Sequence, residues 1–460
     1  MKIEKNNPDQ ANASLPKLSI LKEDETKANN SDLESRSEAK VLVFDPTPIV
    51  KKTRFTHGIG AYGTFTVTGD IRPYSCAPLF ETIGKQTSLV TRFSIPNGSK
   101  DLAFFERSNK EMAIKFLSTD GNWDLIGYST PVSLTKTTEK YDEYVNLNNR
   151  DQRTNLKNPT KAWDFLSLTP ECLHHTLMMM SDRGTTRGYL HMDAFGVTPF
   201  LLTNESGEKH WAKLHIKTLQ GVKTFSHEEV SEKYAFDTDF AQRALADAIY
   251  EHQFPKWKLF IQTMSDSDAQ NFPFDPFDPT KIWSQKAFPL LEVGIVELNK
   301  LPENYYREIE TLEFDTTRSP QGISLTTENP YVKANYCEPK PYSSSTVLES
   351  DPINKINTQH HTQNTDLLKY SGGHLRIEKY FTEQRSSTRG YLLSENDHYS
   401  QARVLFKKVL MEPERASMIY NMVHSMRQIN GPYRTSILNR LIKHLYRIDE
   451  QLGDSVSKIL

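Results

Sequence analysis

A glycine-rich stretch that leads directly into an alternating segment is the strongest constraint on how this 460-residue chain folds. The stretch runs from Arg54 to Gly63 and contains His57, and the side chains from Thr64 to Thr68 then alternate between polar and apolar. Its glycines have the spacing of a dinucleotide-binding loop, but that loop requires a helix after it. Period-two alternation indicates a strand instead. We therefore expect a tight glycine turn that holds His57 at the edge of a sheet.

Composition divides the chain into four parts. Residues 1–40 are polar and contain no aromatic side chain, so we expect a flexible arm. Residues 41–325 show many short strand patterns broken by Pro, Gly and Asp, with helices inserted between them. A polar segment follows at 326–390, where we expect a long wrapping loop, and 391–460 carries apolar residues on helical stripes. Strands followed by a run of helices are typical of the α+β class.

Two segments within the strand-rich part give specific predictions. Trp257 to Met264 is an apolar run with the length of a buried strand. Thr238 can cap a helix, because hydroxyl side chains accept a hydrogen bond from the first turn. The apolar residues that follow are spaced for one helix face: Phe240, Ala244, Leu245, Ala248 and Ile249.

Charge and cysteine content narrow the cellular context. The formal net charge of −2 disfavours a nucleic-acid partner, since such proteins usually carry a strong basic excess. No apolar run approaches the roughly 18 residues of a membrane span, and we see no apolar core of a secretory signal. Cys76, Cys172 and Cys337 are far apart and predict reduced thiols, so we expect a cytoplasmic or organellar protein. The ending Lys458-Ile-Leu460 is not a clean peroxisomal signal.

Several ordered blocks of this sequence resemble the haem catalases. The stretch from Arg54 to Gly63 resembles that family's distal-histidine motif, in which Arg-x-x-His precedes a Gly-Ala-x-Gly turn. Further blocks follow in the family's order: Asp120–Gly127, Thr130-Pro131, Ser181–Gly184, Phe272–Asp278 and Thr280–Trp283. The resemblance implies a catalase-like antiparallel β-barrel with inserted helices in 41–325, and a C-terminal helical domain at 391–460. It also implies a haem b cofactor.

The resemblance assigns the distal side of the haem. His57 matches the histidine that carries the proton from one peroxide oxygen to the other. Tyr128 stands where typical catalases have an asparagine that orients the peroxide, and Ser129 beside it could share that role. Thr56 replaces an apolar residue of typical catalases and resembles the catalase-related allene oxide synthases, which act on fatty-acid hydroperoxides. Its hydroxyl could restrain the His57 imidazole, or it could be an ordinary strand residue.

The proximal side departs further from the family pattern, Arg-x-x-x-Tyr. Tyr336 is the candidate axial ligand of the haem iron, but the match needs a two-residue deletion. Val332 stands at the position of the arginine, and Lys333 is the nearest cation. Tyr331 and Tyr342 are competing ligands, and a purely structural tyrosine is the alternative to all three.

The remaining implied contacts concern the rest of the cofactor. Arg54 and Arg92 match positions that hold the haem propionates, although Arg92 could instead belong to an internal salt bridge. Tyr141 falls near a family aromatic residue that packs on the haem. Some small family members bind NADPH, so the resemblance allows that ligand too. It further suggests a homo-oligomer, a tetramer or a dimer.

Three functions remain open at this point. The first is a haem enzyme that decomposes or reduces hydrogen peroxide, with His57 as acid and base. The second is a dehydratase or isomerase of an organic or fatty-acid hydroperoxide, which Thr56 and Tyr128 favour. The third is a non-catalytic homologue with a degraded haem site, which Val332 favours.

Overall fold

The computed structural model describes residues 55–96, 107–118, 121–151, 153–154, 156–230, 237, 239–312, 314–316, 319–324 and 397–460. At 55–57 and 96 the description covers the backbone but not the side chain. Several predictions therefore lie outside the described part of the chain. They concern the arm at 1–40, the loop at 326–390, the cap at Thr238, the residues Arg54, Tyr331, Val332, Lys333, Tyr336 and Tyr342, and the side chains of Thr56 and His57.

A closed antiparallel barrel forms the centre of the described chain. Eight strands follow one another around it in the order β1-β2-β3-β4-β5-β7-β8-β9, and β9 pairs with β1 to close the ring. Strand β6 pairs with β7, and β10 pairs antiparallel with the other edge of β6. The strands are β1 (Phe55–Val67), β2 (Gln86–Pro96), β3 (Glu111–Phe116), β4 (Trp123–Tyr128), β5 (Ala194–Phe195), β6 (Phe200–Thr203), β7 (Lys209–Thr218), β8 (Lys256–Ser265), β9 (Leu291–Lys300) and β10 (Ile323–Ser324).

Large aromatic rings fill the barrel interior. Alternate residues of each strand point inward, which is the period that the sequence shows after Gly63. Phe65 meets Phe116 edge to face at 5.2 Å, and Phe116 stacks on Trp123 at 5.4 Å. Trp257, at the start of the predicted strand, is fully buried and donates from its indole nitrogen to the Met192 carbonyl. Burial of such rings is the main stabilising contribution of a core.

The glycines of the opening motif belong to this barrel wall and not to a turn. Strand β1 is continuous over 13 residues and includes them in extended conformation. A Cβ at Gly58 would lie 1.8 Å from the Phe93 carbonyl oxygen on β2, and one at Gly63 would lie 2.0 Å from the Glu297 carbonyl oxygen on β9. Only glycine allows both neighbouring strands to approach this closely. The predicted glycine turn was therefore wrong, because close strand packing, not chain reversal, requires these glycines.

Helices lie between the strands and at the C-terminal end. They are α1 (Thr138–Asn148), α2 (Pro159–Leu168), α3 (Leu173–Met180), α4 (His227–Glu229), α5 (Phe240–Tyr250), α6 (Asp266–Gln270), α7 (Ser400–Val404), α8 (Glu412–Met426), α9 (Arg434–Ile448) and α10 (Glu450–Ile459). Two π-helical turns lie at Tyr306–Glu310 and Leu405–Val409. Helix α5 confirms the predicted apolar face, which buries Leu245 and Ile249. None of the described helices is long and apolar enough to cross a membrane.

The C-terminal helices pack against α2 and α3 and form a second hydrophobic core. The Trp163 indole on α2 donates to the Ser425 hydroxyl on α8 at 3.0 Å, and Arg440 on α9 pairs with the buried Asp164. The amphipathic stripes of the sequence thus bury their apolar sides here, as expected for a helical end of an α+β fold. Apolar residues of α1 also pack against this second core.

Candidate functional site

The outer face of β1 to β4 carries charged and polar residues, whereas the inner face is mostly apolar. Strand pairing aligns Gly58, Ser94, Glu111 and Tyr128 in one row across the four strands. Paired residues of antiparallel neighbours lie on the same face, so the row is one continuous surface. His57 directly precedes Gly58. The strand that bears the predicted proton carrier therefore contributes one residue to the row that ends at Tyr128.

A second row on the same face contains a buried ion pair. Arg92 on β2 pairs with Ala113 and lies beside Gly60 of β1. Its guanidinium donates to the Glu310 carboxylate at 3.1 Å and to the Ile309 carbonyl at 3.4 Å. The exposed fraction is 4% for the Arg92 side chain and 10% for that of Glu310, so this pair is removed from solvent. The internal salt bridge that sequence analysis gave as the alternative role of Arg92 is therefore present.

Tyr305 joins this ion pair. Its phenol hydrogen-bonds with both Arg92 and Glu310. Burial, which outweighs the favourable charge of Arg92, raises the pKa of Tyr305 to about 12. The phenol consequently stays protonated at neutral pH and acts as a hydrogen-bonding group, not as a charge. Sequence analysis did not find Tyr305 and Glu310, because they lie more than 200 residues from β2 along the chain.

Tyr128 borders a cavity of about 280 Å³, which we call the strand cavity. Its walls include Glu111 and Ile126 from the strands and Val132 and Tyr141 from the segment that follows them. Hydroxyls are frequent in the remaining wall: Ser133, Thr135, Thr137, Thr138, Thr316 and Ser319. The strand cavity therefore combines apolar contact with hydrogen-bonding groups, as ligand sites usually do.

Glu111 is a further candidate site residue that the sequence motifs did not indicate. It pairs directly with Tyr128 across β3 and β4, it is 3% exposed, and it lines the strand cavity. A buried carboxylate next to a phenol can polarise it or share a proton with it. Only the strand register reveals this neighbour. Ser129, by contrast, uses its hydroxyl to accept from the Lys110 backbone N–H at 3.0 Å, so it ties β4 to the start of β3.

A larger cavity of about 400 Å³ lies between helices α1, α2 and α3, and we call it the helix cavity. It shares Asn109, Leu134 and Tyr141 with the strand cavity, so the two spaces adjoin along these three residues. The predicted pocket aromatic, Tyr141, is thus placed on their common wall. Three cations line the helix cavity, Arg107, Arg150 and Lys157, and its described lining contains no Asp or Glu.

Arg107 is the most enclosed of these cations. Its guanidinium donates to the carbonyls of Met179 at 3.0 Å and Ser181 at 2.5 Å, at the end of α3. Burial lowers the pKa of Arg107 to about 10, which the nearby Asp182 partly opposes. Asp182 itself accepts from the Ser417 hydroxyl at 2.5 Å. Within the described chain, Arg107 has no carboxylate at ion-pair distance.

His175 lines the same helix cavity from α3. It is 7% exposed, and neither ring nitrogen has a hydrogen-bond partner among the described residues. Burial, and to a smaller extent the neighbouring His174, lowers the pKa of His175 to about 3. The imidazole is therefore neutral at physiological pH and presents one donor and one acceptor to whatever occupies the cavity.

Comparison with known proteins gives consistent matches over nearly the whole chain. The family model described as Catalase matches residues 32–383, and the model described as Catalase-related immune-responsive matches residues 393–460. The catalase of Helicobacter pylori strain J99 is 34% identical over 447 residues, which cover 92% of this chain and 88% of that protein. Catalase A of Pseudomonas putida is 32% identical over 440 residues and covers 91% of both chains. The structure of catalase A from Saccharomyces cerevisiae superposes with a TM-score of 0.74 at 25% identity, over 98% of this chain and 96% of that one.

Proposed function

Because this chain belongs to the catalase family, whose members are haem enzymes that act on peroxide, we propose that it decomposes or reduces hydrogen peroxide at the outer face of β1 to β4. The observation that carries this proposal is the row from Gly58 to Tyr128. It aligns the strand that bears His57 with a phenol that borders a cavity. Peroxide cleavage requires a proton carrier and an orienting donor, and the strand that bears the first pairs through β2 and β3 with the strand that bears the second.

The described residues of this face fit a haem in their chemistry. Arg92 is a buried cation that can hold a propionate, and a guanidinium has enough donors for a second carboxylate besides Glu310. Ile126, Val132 and Tyr141 offer an apolar and aromatic wall for a macrocycle. The cofactor, when bound, supplies the iron at which the peroxide O–O bond breaks. Tyr336 would hold that iron as a phenolate, and Arg54 would hold the second propionate.

The protein side chains divide the remaining work. His57 takes a proton from one peroxide oxygen and returns it to the other, since neutral imidazole can do both near pH 7. Tyr128 donates a hydrogen bond that orients the peroxide, with Glu111 beside it on the next strand. Thr56 precedes His57, and its hydroxyl restrains the imidazole. These assignments rest on the family resemblance and on the strand register.

Replacing His57 by alanine tests the proposal. We expect peroxide consumption to fall by a factor of about 100 or more, because a positioned acid–base group contributes roughly 10²–10⁴ in rate. The haem Soret absorbance should stay, since the change removes no iron ligand. His424→Ala is the matched control, as it alters an exposed histidine on α8. Full activity of the His57 variant, or wild-type protein without Soret absorbance, would refute the proposal.

We further propose that the protein binds NADPH and that its copies associate with one another. The family resemblance supports NADPH as a second ligand and two or four copies as the assembled form. Sedimentation of the purified protein would measure the number of copies, and NADPH fluorescence would report binding. The cytoplasm remains our proposed location.

A second candidate function is the rearrangement or dehydration of an organic hydroperoxide. A specific observation favours it: the strand cavity adjoins the helix cavity at Tyr141, so space for a molecule larger than hydrogen peroxide continues away from Tyr128.

A further inference from the structure

We propose that Glu111 is a second peroxide-contacting residue of this site: its carboxylate accepts the hydrogen bond of the peroxide O–H, while Tyr128 donates to the other peroxide oxygen. The inference rests on the proposed function of the outer face of β1 to β4. It deepens that function, because it gives the substrate two fixed contacts and makes the site selective for neutral peroxides over small anions.

The strand register places these two side chains next to each other. The Ser129 backbone N–H donates to the Lys110 carbonyl at 2.9 Å, so these residues form a hydrogen-bonded pair between β3 and β4. Hydrogen-bonded and non-hydrogen-bonded pairs alternate along antiparallel strands. Glu111 and Tyr128 are therefore a non-hydrogen-bonded pair, the kind in which the Cα atoms approach to about 4.5 Å and the side chains lie closest.

Both side chains border the same space. Glu111 is 3% exposed and lines the strand cavity together with Tyr128. The strand cavity, at about 280 Å³, has room for small molecules, since one water occupies roughly 30 Å³ in the liquid. Buried polar groups in native proteins are hydrogen-bonded, and a carboxylate in a cavity wall can receive one of its hydrogen bonds from a bound molecule. Glu111 is thus placed to contact the molecule that Tyr128 contacts.

The two groups have complementary hydrogen-bonding roles. An ionised carboxylate only accepts hydrogen bonds, whereas a phenol can donate its one proton. Each oxygen of hydrogen peroxide carries one hydrogen and lone pairs, so the molecule can donate to Glu111 from one oxygen and accept from Tyr128 at the other. Hydrogen bonds to ionised groups are the stronger kind. Two such contacts fix the direction of the O–O bond, whereas Tyr128 alone would let the peroxide rotate about a single hydrogen bond.

The charge of Glu111 provides a basis for selection between ligands. Glu111 and Asp124 are the acidic residues of the described lining of the strand cavity, and Lys136 is its cation. Asp124 is paired with Lys115, and Lys136 is paired with Asp278. A carboxylate beside the substrate position raises the energy of a small anion there, because charges interact more strongly in an enclosed site than in water. Uncharged peroxide experiences no such repulsion.

Kinetics with hydrogen peroxide on the full-length protein test the contact. Glu111→Leu should raise KM by about tenfold or more, because the loss of a hydrogen bond to an ionised group weakens binding by about that factor. Glu111→Gln keeps an accepting oxygen and should recover part of the loss. Glu297→Gln is the matched control and should keep the wild-type KM, since Glu297 lies on β9 and pairs with Lys256 at 2.6 Å.

Replacing Tyr128 by phenylalanine separates a direct contact of Glu111 from an indirect one. In the Tyr128→Phe background, Glu111→Leu should still raise KM, because each residue contacts its own peroxide oxygen. If Glu111→Leu has no effect once Tyr128 is replaced, Glu111 acts only through the phenol and the peroxide contact is overturned. An unchanged KM in both Glu111 variants of the otherwise wild-type protein overturns it as well.

Azide binding, followed by the shift of the haem Soret band, separates this inference from the proposed function. Glu111→Gln should bind azide about tenfold or more tightly than the wild type, because a repelling charge is removed, whereas Glu297→Gln should bind it as the wild type does. Arg92, Glu310 and the other charges of the cavity lining are present in each protein, so the comparison isolates Glu111.

The outcomes distinguish the two proposals. If azide affinity changes in this way but no peroxide is consumed, the selective charge of Glu111 stands and the proposed function fails. If peroxide is consumed and azide binds equally to the wild type and Glu111→Gln, the proposed function stands and the inference fails. Wild-type protein without Soret absorbance would overturn both.

Discussion

Two arginines are enclosed in this protein in opposite ways. Arg92, on the outer face of β2, meets a carboxylate of its own chain, Glu310, and the Tyr305 phenol. Arg107, which precedes β3, meets only the carbonyls of Met179 and Ser181 among the described residues. The first charge is paired inside the fold, whereas the second is oriented by carbonyls and has no carboxylate at ion-pair distance in the described chain, with Asp182 as a more distant negative charge.

This difference distinguishes an arginine that is paired with a carboxylate of the fold from one that carbonyl dipoles orient. Glu310 lies on a π-helical turn that covers β1 and β2, so its pairing with Arg92 fastens that turn to the barrel. Arg107 stands in the wall of a cavity that also contains His175, whose ring nitrogens have no hydrogen-bond partner among the described residues. A buried charge without its partner is costly, and native folds usually retain one where a ligand completes it.

The largest expected effect comes from breaking the balanced pair. Glu310→Gln leaves Arg92 buried beside a neutral amide, and removal of one partner of a buried pair costs about 3–5 kcal/mol of unfolding free energy. Urea unfolding followed by circular dichroism measures this loss.

Glu308→Gln is the control for that experiment. Glu308 lies on the same turn and accepts from the Tyr62 hydroxyl at 2.9 Å, but it is only half-buried, so its loss should be much smaller. Combining Glu310→Gln with Arg92→Met should recover part of the stability, since no buried charge then remains. If both glutamate variants lose the same small amount, Arg92 does not depend on Glu310.

The sequence predicts the strands and helices around the two arginines better than it predicts the residues that contact them. Period-two patterns and the family blocks predicted the barrel, the strand at Trp257 and the helix at Phe240, because local periodicity and the order of motifs specify such elements. The partners Glu310 and Glu111 could not be predicted, because strand register and a covering turn bring them together across long separations. The glycines near His57 were misinterpreted as a turn, since their requirement comes from the backbones of β2 and β9 and not from local conformation.

Acid should weaken the surroundings of Arg107 before those of Arg92. Burial lowers the pKa of His174 to about 4 and that of His175 to about 3, against about 6.5 in an unfolded chain. Below pH 6.5 the unfolded state binds protons at these histidines that the folded state does not bind. The stability is therefore complete above pH 6.5 and falls as the pH decreases, by up to about 1.4 kcal/mol per pH unit for each histidine. The hydrogen bonds of Arg92 to Ile309 and Glu310 involve no histidine.

Urea unfolding at pH 7.5, 6.0 and 5.0 measures this slope. Replacing His175 by glutamine keeps a polar side chain but removes one titrating group, so the loss of stability toward pH 5 should become shallower than in the wild type. His215 and His398 also have pKa values lowered to about 4 by burial and remain in both proteins, so the difference isolates His175. An unchanged slope would mean that His175 titrates alike in the folded and unfolded states.

The smallest effect tests whether Arg107 can be made to resemble Arg92. Met179 lines the helix cavity and its carbonyl already binds Arg107, so Met179→Glu would place a carboxylate in the same enclosed space. The matched neutral change, Met179→Gln, has nearly the same shape and size. We expect the glutamate variant to be about 1 kcal/mol more stable than the glutamine variant in 0.1 M salt, since the carboxylate pairs with the enclosed guanidinium and its desolvation offsets much of that gain. Equal stability of the two variants would show that the Arg107 charge does not act on the cavity, and the contrast between the two arginines would then lose its meaning.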